Sequence, residues 1–169
     1  MASDPLQYYI GRGTLEVKVG VAAWRDVGNV PVFEITPTIE KLEHKSSRTG
    51  IRSTDRSVVV EKGGTVRIIL EEYNYENLQL ALLGGDTTDG SGNSAIDVLS
   101  ENSITAQVRF TGANDVGPEL KILLHSVTFN PSGTFGLITE EFGQMEINGD
   151  IAVDANGSFG WMRIVSAGV

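Results

Sequence analysis

A mainly β fold, a sandwich or barrel with one short flanking helix and one long hairpin connection, is what this chain predicts. Three observations predict it. Apolar residues recur at every second position in one segment after another. Gly, Asn and Asp punctuate those segments, and a single stretch carries the longer period of a helix. The 169 residues suit one domain, spanning 1–169, and the absence of cysteine means that its core forms without disulfides or thiolate metal sites.

The strands follow in order. "TLEVKV" places Leu15, Val17 and Val19 on one face and Glu16 and Lys18 on the other. "VFEITPTIE" sets Phe33, Ile35 and Ile39 against Glu34, Thr36, Thr38 and Glu40, with Pro37 removing one ladder donor and so marking an edge or a bulge. "SVVVEKGGTVRIIL" keeps Val58, Val60, Val66, Ile68 and Leu70 in phase on both sides of Gly63-Gly64, which reads as a bend in one long strand or a turn splitting it. "SITAQVRF" alternates Ile104, Ala106, Val108 and Phe110 with Ser103, Thr105, Gln107 and Arg109. Met145, Ile147, Ile151 and Val153 oppose Gln144, Glu146, Asn148 and Asp150, and "SFGWMRIV" turns Phe159, Trp161 and Val165 inward.

The helix is "NYENLQLALLGG". Asn74 caps it, Glu76 sits in the first turn near the positive dipole end, Leu78, Ala81 and Leu82 form the buried stripe, and Gly84-Gly85 stop it. Residues 84–94, "GGDTTDGSGNS", read as a polar surface loop.

Chemistry-bearing motifs are sparse. His44 and His125 stand far apart and beside no nucleophile motif, and no Walker loop, H-E-x-x-H or dinucleotide-binding glycine pattern occurs. Glu71-Glu72 and Glu140-Glu141 are adjacent pairs, which point to opposite faces of a strand and share no proton. "DGSGNSAIDVLSE", from Asp89, places oxygen ligands at loop positions one, three, five and nine. It carries Ser94 where a calcium loop needs glycine and Ser100 where it needs glutamate. The expectation is therefore a chain that is not an enzyme and uses no metal or other cofactor.

Charge is the strongest remaining signal. The formal net charge is -9, yet residues 41–56 hold five bases against two acids, whereas residues 71–169 hold fourteen acids against three bases. Long acidic stretches repel phosphate, so tight nucleic-acid binding is not expected. No apolar run approaches the ~20 residues of a membrane span, and the amino end lacks a signal-peptide layout, so the expectation is a cytosolic chain without membrane contact. The basic stretch reads as a long polar loop between two strands, and a basic arm on an acidic subunit suits head-to-tail self-assembly.

The runs "YIGRGTLEVKV", "VPVFEITPTIEKLEHKSSRTGIRSTDRSVVVEKGGTVRIILEEYNYENLQLALLG" and "LITEEFGQMEINGDIAV" together resemble the tail tube, or major tail, proteins of long-tailed bacteriophages. That resemblance implies a β-sandwich with a flanking helix, here "ENLQLALLG" with Asn74, Leu78 and Leu82. It implies hexameric rings stacked into a hollow tail tube through which DNA is delivered without specific binding. It also implies an inter-ring docking loop, which by position contains His44, Lys45, Arg48, Arg52, Asp55 and Arg56. Expected partners are the chain itself, a tape-measure protein, a tail terminator and tail-tip or baseplate proteins, in a virion tail assembled in the host cytoplasm. Candidates for lining the lumen are Glu34, Thr36, Thr38 and Glu40, with Ser103, Thr105 and Gln107, because the opposite faces of both segments are apolar enough to fill a core. The alternative is a β-sandwich carbohydrate-binding or adhesion module, with Tyr8, Tyr9, Trp24 and Trp161 as stacking faces.

Overall fold

The computed structural model describes residues 3–48, 50–130, 136–138 and 140–165. Its strands are β1 (Gly11–Val19), β2 (Arg25–Asp26), β3 (Val32–Ser46), β4 (Ser53–Leu70), β5 (Gly85–Thr88), β6 (Ser94–Asp97), β7 (Ile104–Asn114), β8 (Glu119–Asn130), β9 (Met145–Ile151) and β10 (Gly160–Val165). One α-helix, α1 (Tyr75–Leu82), lies between β4 and β5. Antiparallel pairing runs in the order β2-β1-β7-β8-β9-β4-β3, β10 pairs with β8, and β5 and β6 form a separate hairpin. The mainly β expectation, with one short helix, is met.

Alternation builds the core. Leu15 and Val17 of β1, Val66, Ile68 and Leu70 of β4, Ala106 and Val108 of β7, and Met145 and Ile147 of β9 are all buried on one side of the sheet. In β8, Leu124 and Val127 are both buried although three residues apart. A bulge explains this: Val108 faces Leu124 while Ala106 faces Val127, so β8 carries one residue more than β7 and its inward phase is reset. The sheet curls back on itself, bringing Phe33 of β3 within 5.6 Å, ring centroid to centroid, of Phe110 of β7. Leu80 of α1 joins the same core and closes one end of the curl.

The helix departs from its expected stripe. The deeply buried positions are Asn77 and Leu80; of the expected stripe, Leu78 and Ala81 pack half-buried against the core and Leu82 is half-buried. Asn74 does cap, its side chain accepting from Asn77 N at 2.9 Å. The stop lies one residue early, because Leu83 adopts the left-handed conformation at φ 45° and Gly84 follows where a side chain would collide with Ile96.

Asn77 is buried because its polar atoms are all engaged. Its amide donates to Val27 O and Glu72 O, both at 2.9 Å, and its carbonyl accepts from Arg25 at 2.8 Å. Arg25 is thereby held half-buried, and burial pulls its guanidinium down against the opposing pull of Glu76 and Asp26. One side chain ties the helix to both β2 and the end of β4.

Two further expectations are corrected and one pair of alternatives is decided. Residues 84–94 form most of the β5–β6 hairpin and not a loose loop; the Asp89 carboxylate accepts from Ser91 N, Asn93 N and Asn93 Nδ2 at 2.8–2.9 Å and shapes the turn. Of the two readings of Gly63-Gly64, the one long strand holds and the splitting turn does not, since β4 runs through them unbroken. Val19, Ile39 and Val153 keep inward phases yet are exposed at or beyond the end of the covering layer, whereas a bulge at Val60 turns Val58 outward and the pairing of Trp161 with Leu123 sets Trp161 on the outer side.

Replacing Asn77 by Ala removes the donors to the Val27 and Glu72 carbonyls and takes from Arg25 the shorter of its two acceptor contacts. The expected loss is about 2–3 kcal/mol, read as a lower urea midpoint with an unchanged slope. An unaltered midpoint would show that the helix does not depend on this clamp.

Candidate functional site

Both segments singled out for their polar faces lie on one surface, the outer side of the curled sheet. Thr36 pairs with Thr65, Thr65 with Asp150, Asp150 with Thr128, and Thr128 with Thr105, a single row crossing five strands from β3 to β7. Directly opposed antiparallel residues share a face, so the row fixes the common orientation. One row along, Glu34 pairs with Arg67, Arg67 with Asn148, and Asn148 with Asn130. Thr38 and Glu40 continue the face along β3, Gln107 lies opposite Lys18 of β1, and Ser103 precedes β7 as an exposed residue.

This face is internally bonded. Arg67 donates to Glu34 at 3.2 Å and to Glu146 at 2.9 Å, Asn148 donates to Glu146 at 3.1 Å, and Asn130 donates to Asp150 at 2.7 Å. The Thr105 and Thr128 hydroxyls are 3.1 Å apart. Arg109 donates twice to Glu16, at 2.7 Å each, and its guanidinium lies 4.4 Å over the ring of Trp24. Arg67, Asp150, Thr65 and Thr128 were not among the sequence-derived candidates. Their outward phase is legible strand by strand, but which strands adjoin is not.

The second feature is the β3–β4 ribbon. β9 pairs with β4 only from Gly64 to Leu70, so beyond Gly64 the β3–β4 pair continues alone to Ser46 and Ser53. Nine residues of β3 at about 3.4 Å each make an arm of about 30 Å. The expected loop is therefore mostly strand. His44 and Lys45 belong to β3, Asp55 and Arg56 to β4, and only Arg48 and Arg52 lie in the turn. The excursion holds so many polar residues because both sides of an unsupported ribbon meet solvent. His44 and Asp55 partner each other at 2.6 Å, which leaves Lys45, Arg48, Arg52 and Arg56 as the cations at the far end.

The arm is not uniformly polar. Ile39 and Val59 point to the core side of the ribbon, Leu42 and Val58 to the outer side, and all four are exposed, Leu42 at 67%. Two bulges in β4, at Val60 and Asp55, add twist along it. A two-stranded ribbon alone in water is marginal, and this one exposes apolar side chains on both faces.

The remaining singled-out groups serve the fold. Asn29 binds both adjacent carboxylates, its backbone N–H donating to Glu72 at 3.0 Å and its side chain to Glu71. Asp154 accepts from the backbone of Asn156 and Ser158 at 2.9 Å around the Gly157 turn. Among the described residues, no group of three or more His, Asp or Glu side chains is placed to hold a metal ion, and no helix is long and apolar enough to cross a membrane.

Residues 8–95 and 89–160 match the model of the family described as "Protein of unknown function UCP028589". The chain belongs to this family. No curated protein matches it. The matched residues include the arm, the helix and the polar row alike, so the features described above lie within the family's common extent.

Acid sensitivity follows from the face. The hydrogen bond from Arg67, then that from Asn148, holds Glu146 below the ordinary value of 4.5, and the bond from Arg109 does the same for Glu16. A carboxylate whose folded pKa is depressed stabilises the fold above its unfolded value, and that contribution is lost as pH falls through the folded one. The urea midpoint should therefore fall as the pH drops below about 5, and more shallowly for Glu146→Gln. An identical acid profile for the variant would remove Glu146 from the explanation.

Proposed function

We propose that this chain is a structural subunit that assembles with copies of itself into rings, and that the rings stack into a hollow tube of the bacteriophage tail type, a β-sandwich tube domain in a virion tail assembled in the host cytoplasm. The observation that carries the reading is the arm. A ribbon of about 30 Å with no third strand, apolar on both faces and basic at its end, finds support only against another surface. The chain supplies an acidic one, since fourteen of its acids and only three of its bases lie between residue 71 and residue 169. Exposed Leu6, Ile10, Val21, Leu137, Ile138 and Phe142 add apolar surface beyond the scattered residues usual for a monomer.

The polar row supports a lumen role for the outer face. DNA slides more freely along a wall whose cations are engaged, and along the polar rows Arg67 and Arg109 are both held by carboxylates of the same chain. Tape-measure, terminator and tail-tip or baseplate proteins are the partners such a tube requires. The carbohydrate-binding alternative loses one stacking surface, because the Trp24 ring is occupied by Arg109.

Purified protein should give rings or tubes by negative-stain microscopy, with scattering mass rising with concentration. A monomer at every concentration and salt would overturn the reading. Changing Lys45, Arg48 and Arg52 to Glu should leave rings and abolish tubes with an unchanged circular dichroism spectrum, because exposed charge changes shift stability by no more than about 0.5 kcal/mol each. Tubes of normal length from that variant would exclude the arm from stacking.

A further inference from the structure

Two free edges of the sheet carry like-charge pairs of opposite sign. On one, Glu40 of β3 lies directly opposite Glu61 of β4, both exposed. On the other, Lys121 of β8 lies directly opposite Arg163 of β10. Like charges facing each other across a ladder destabilise it. Among the described residues, no ion-pair partner relieves either pair.

Both edges are also open along the backbone. Among the described residues, β3 pairs only with β4 and β10 only with β8, so each presents unpaired N–H and C=O groups on its other side. β10 exposes apolar side chains on both faces: Trp161 is 45% exposed, Met162 61% and Ile164 67%. Met162 and Ile164 point to the core side, where they pair with Ile122 and Leu120, yet nothing covers them. An apolar groove of about 280 Å³ lies there, between Ile35 and Pro37 of β3 and Gly160, Trp161 and Met162 of β10. An open edge strand that exposes apolar side chains is a template for a further strand.

We propose that the occupant is β3 of a second copy, adding antiparallel to β10 with residues 38–42 against residues 161–165. This rests on the self-assembly reading above and specifies its contact. The register follows from the faces. Glu40 and Leu42 point to the outer side of β3, and Arg163 and Trp161 to the outer side of β10, whereas Ile39 and Ile164 point to the core side. Antiparallel neighbours share a face, so one register places Glu40 beside Arg163 of the second copy, Leu42 beside Trp161 and Ile39 beside Ile164. The carboxylate pair Glu40–Glu61 then lies against the cation pair Lys121–Arg163, and each relieves the other. Pro37, which has no N–H to give, falls outside the paired residues. Because donor and acceptor are different strands, the contact is head-to-tail and repeats, closing a ring or propagating.

The chain has no cysteine, so engineered pairs report the register directly. Leu42→Cys with Trp161→Cys should give a ladder of intermolecular disulfides on a non-reducing gel, while Leu42→Cys with Val165→Cys, neighbours in the parallel arrangement, should not. Glu40→Lys with Glu61→Lys should raise the concentration needed for assembly at least tenfold, and adding Lys121→Glu with Arg163→Glu should restore it. A ladder from the parallel pair overturns the register. Rings or tubes that show no 42–161 ladder and ignore the charge reversals overturn the contact while leaving self-assembly standing. A chain that never assembles overturns both.

Discussion

Strand β4 outlasts its neighbour. It runs for 18 residues, but β9 accompanies it only from Gly64 to Leu70, and the molecule divides at that point. On the supported side, β4 is an inner strand with hydrogen bonds on both edges and Val66, Ile68 and Leu70 in the core. On the other side, among the described residues, the same strand has one partner and no covering layer, and a bulge at Val60 shifts its alternation. Val59 on the core side and Val58 on the outer side are therefore both exposed, while Val66 and Ile68 are not.

The end of β9 also separates the two kinds of surface. Where the sheet is wide, its outward residues find partners on adjacent strands, and the polar face becomes a closed network from Glu34 through Arg67 and Glu146 to Asn148. Where only two strands remain, outward residues have one neighbour each. Charges there pair locally, as His44 does with Asp55, or face a like charge, as Glu40 does with Glu61. The wide part of the sheet satisfies its own outward charges, and the narrow part leaves an edge in electrostatic conflict. Both properties arise from the same count of neighbouring strands.

Much of the fold was legible because period-two alternation is a local property. The phases of β1, β7 and β9 and the capping by Asn74 follow from side chains a few residues apart. The helix stripe was misjudged because hydrophobicity ranks Leu78 and Leu82 above Asn77, whereas Asn77 is buried by partners that are five and fifty residues away. The apparent loop at residues 44–56 looked irregular because strands are recognised by one apolar face, and a ribbon with no core beneath it has none.

By itself, the sequence determined the β class, the helix at residues 75–82, the charge division between the basic stretch and the acidic remainder, and the outward polar phase of two segments. These depend on residue type and local spacing, which the chain carries wherever it folds. Only the tertiary structure decided that Thr36 and Thr105 share one row, that β8 shifts phase between Leu124 and Val127, and that β3 and β10 are left as edges. Strand order and register are set by which apolar faces bury one another across long stretches of chain, and no local pattern specifies that choice.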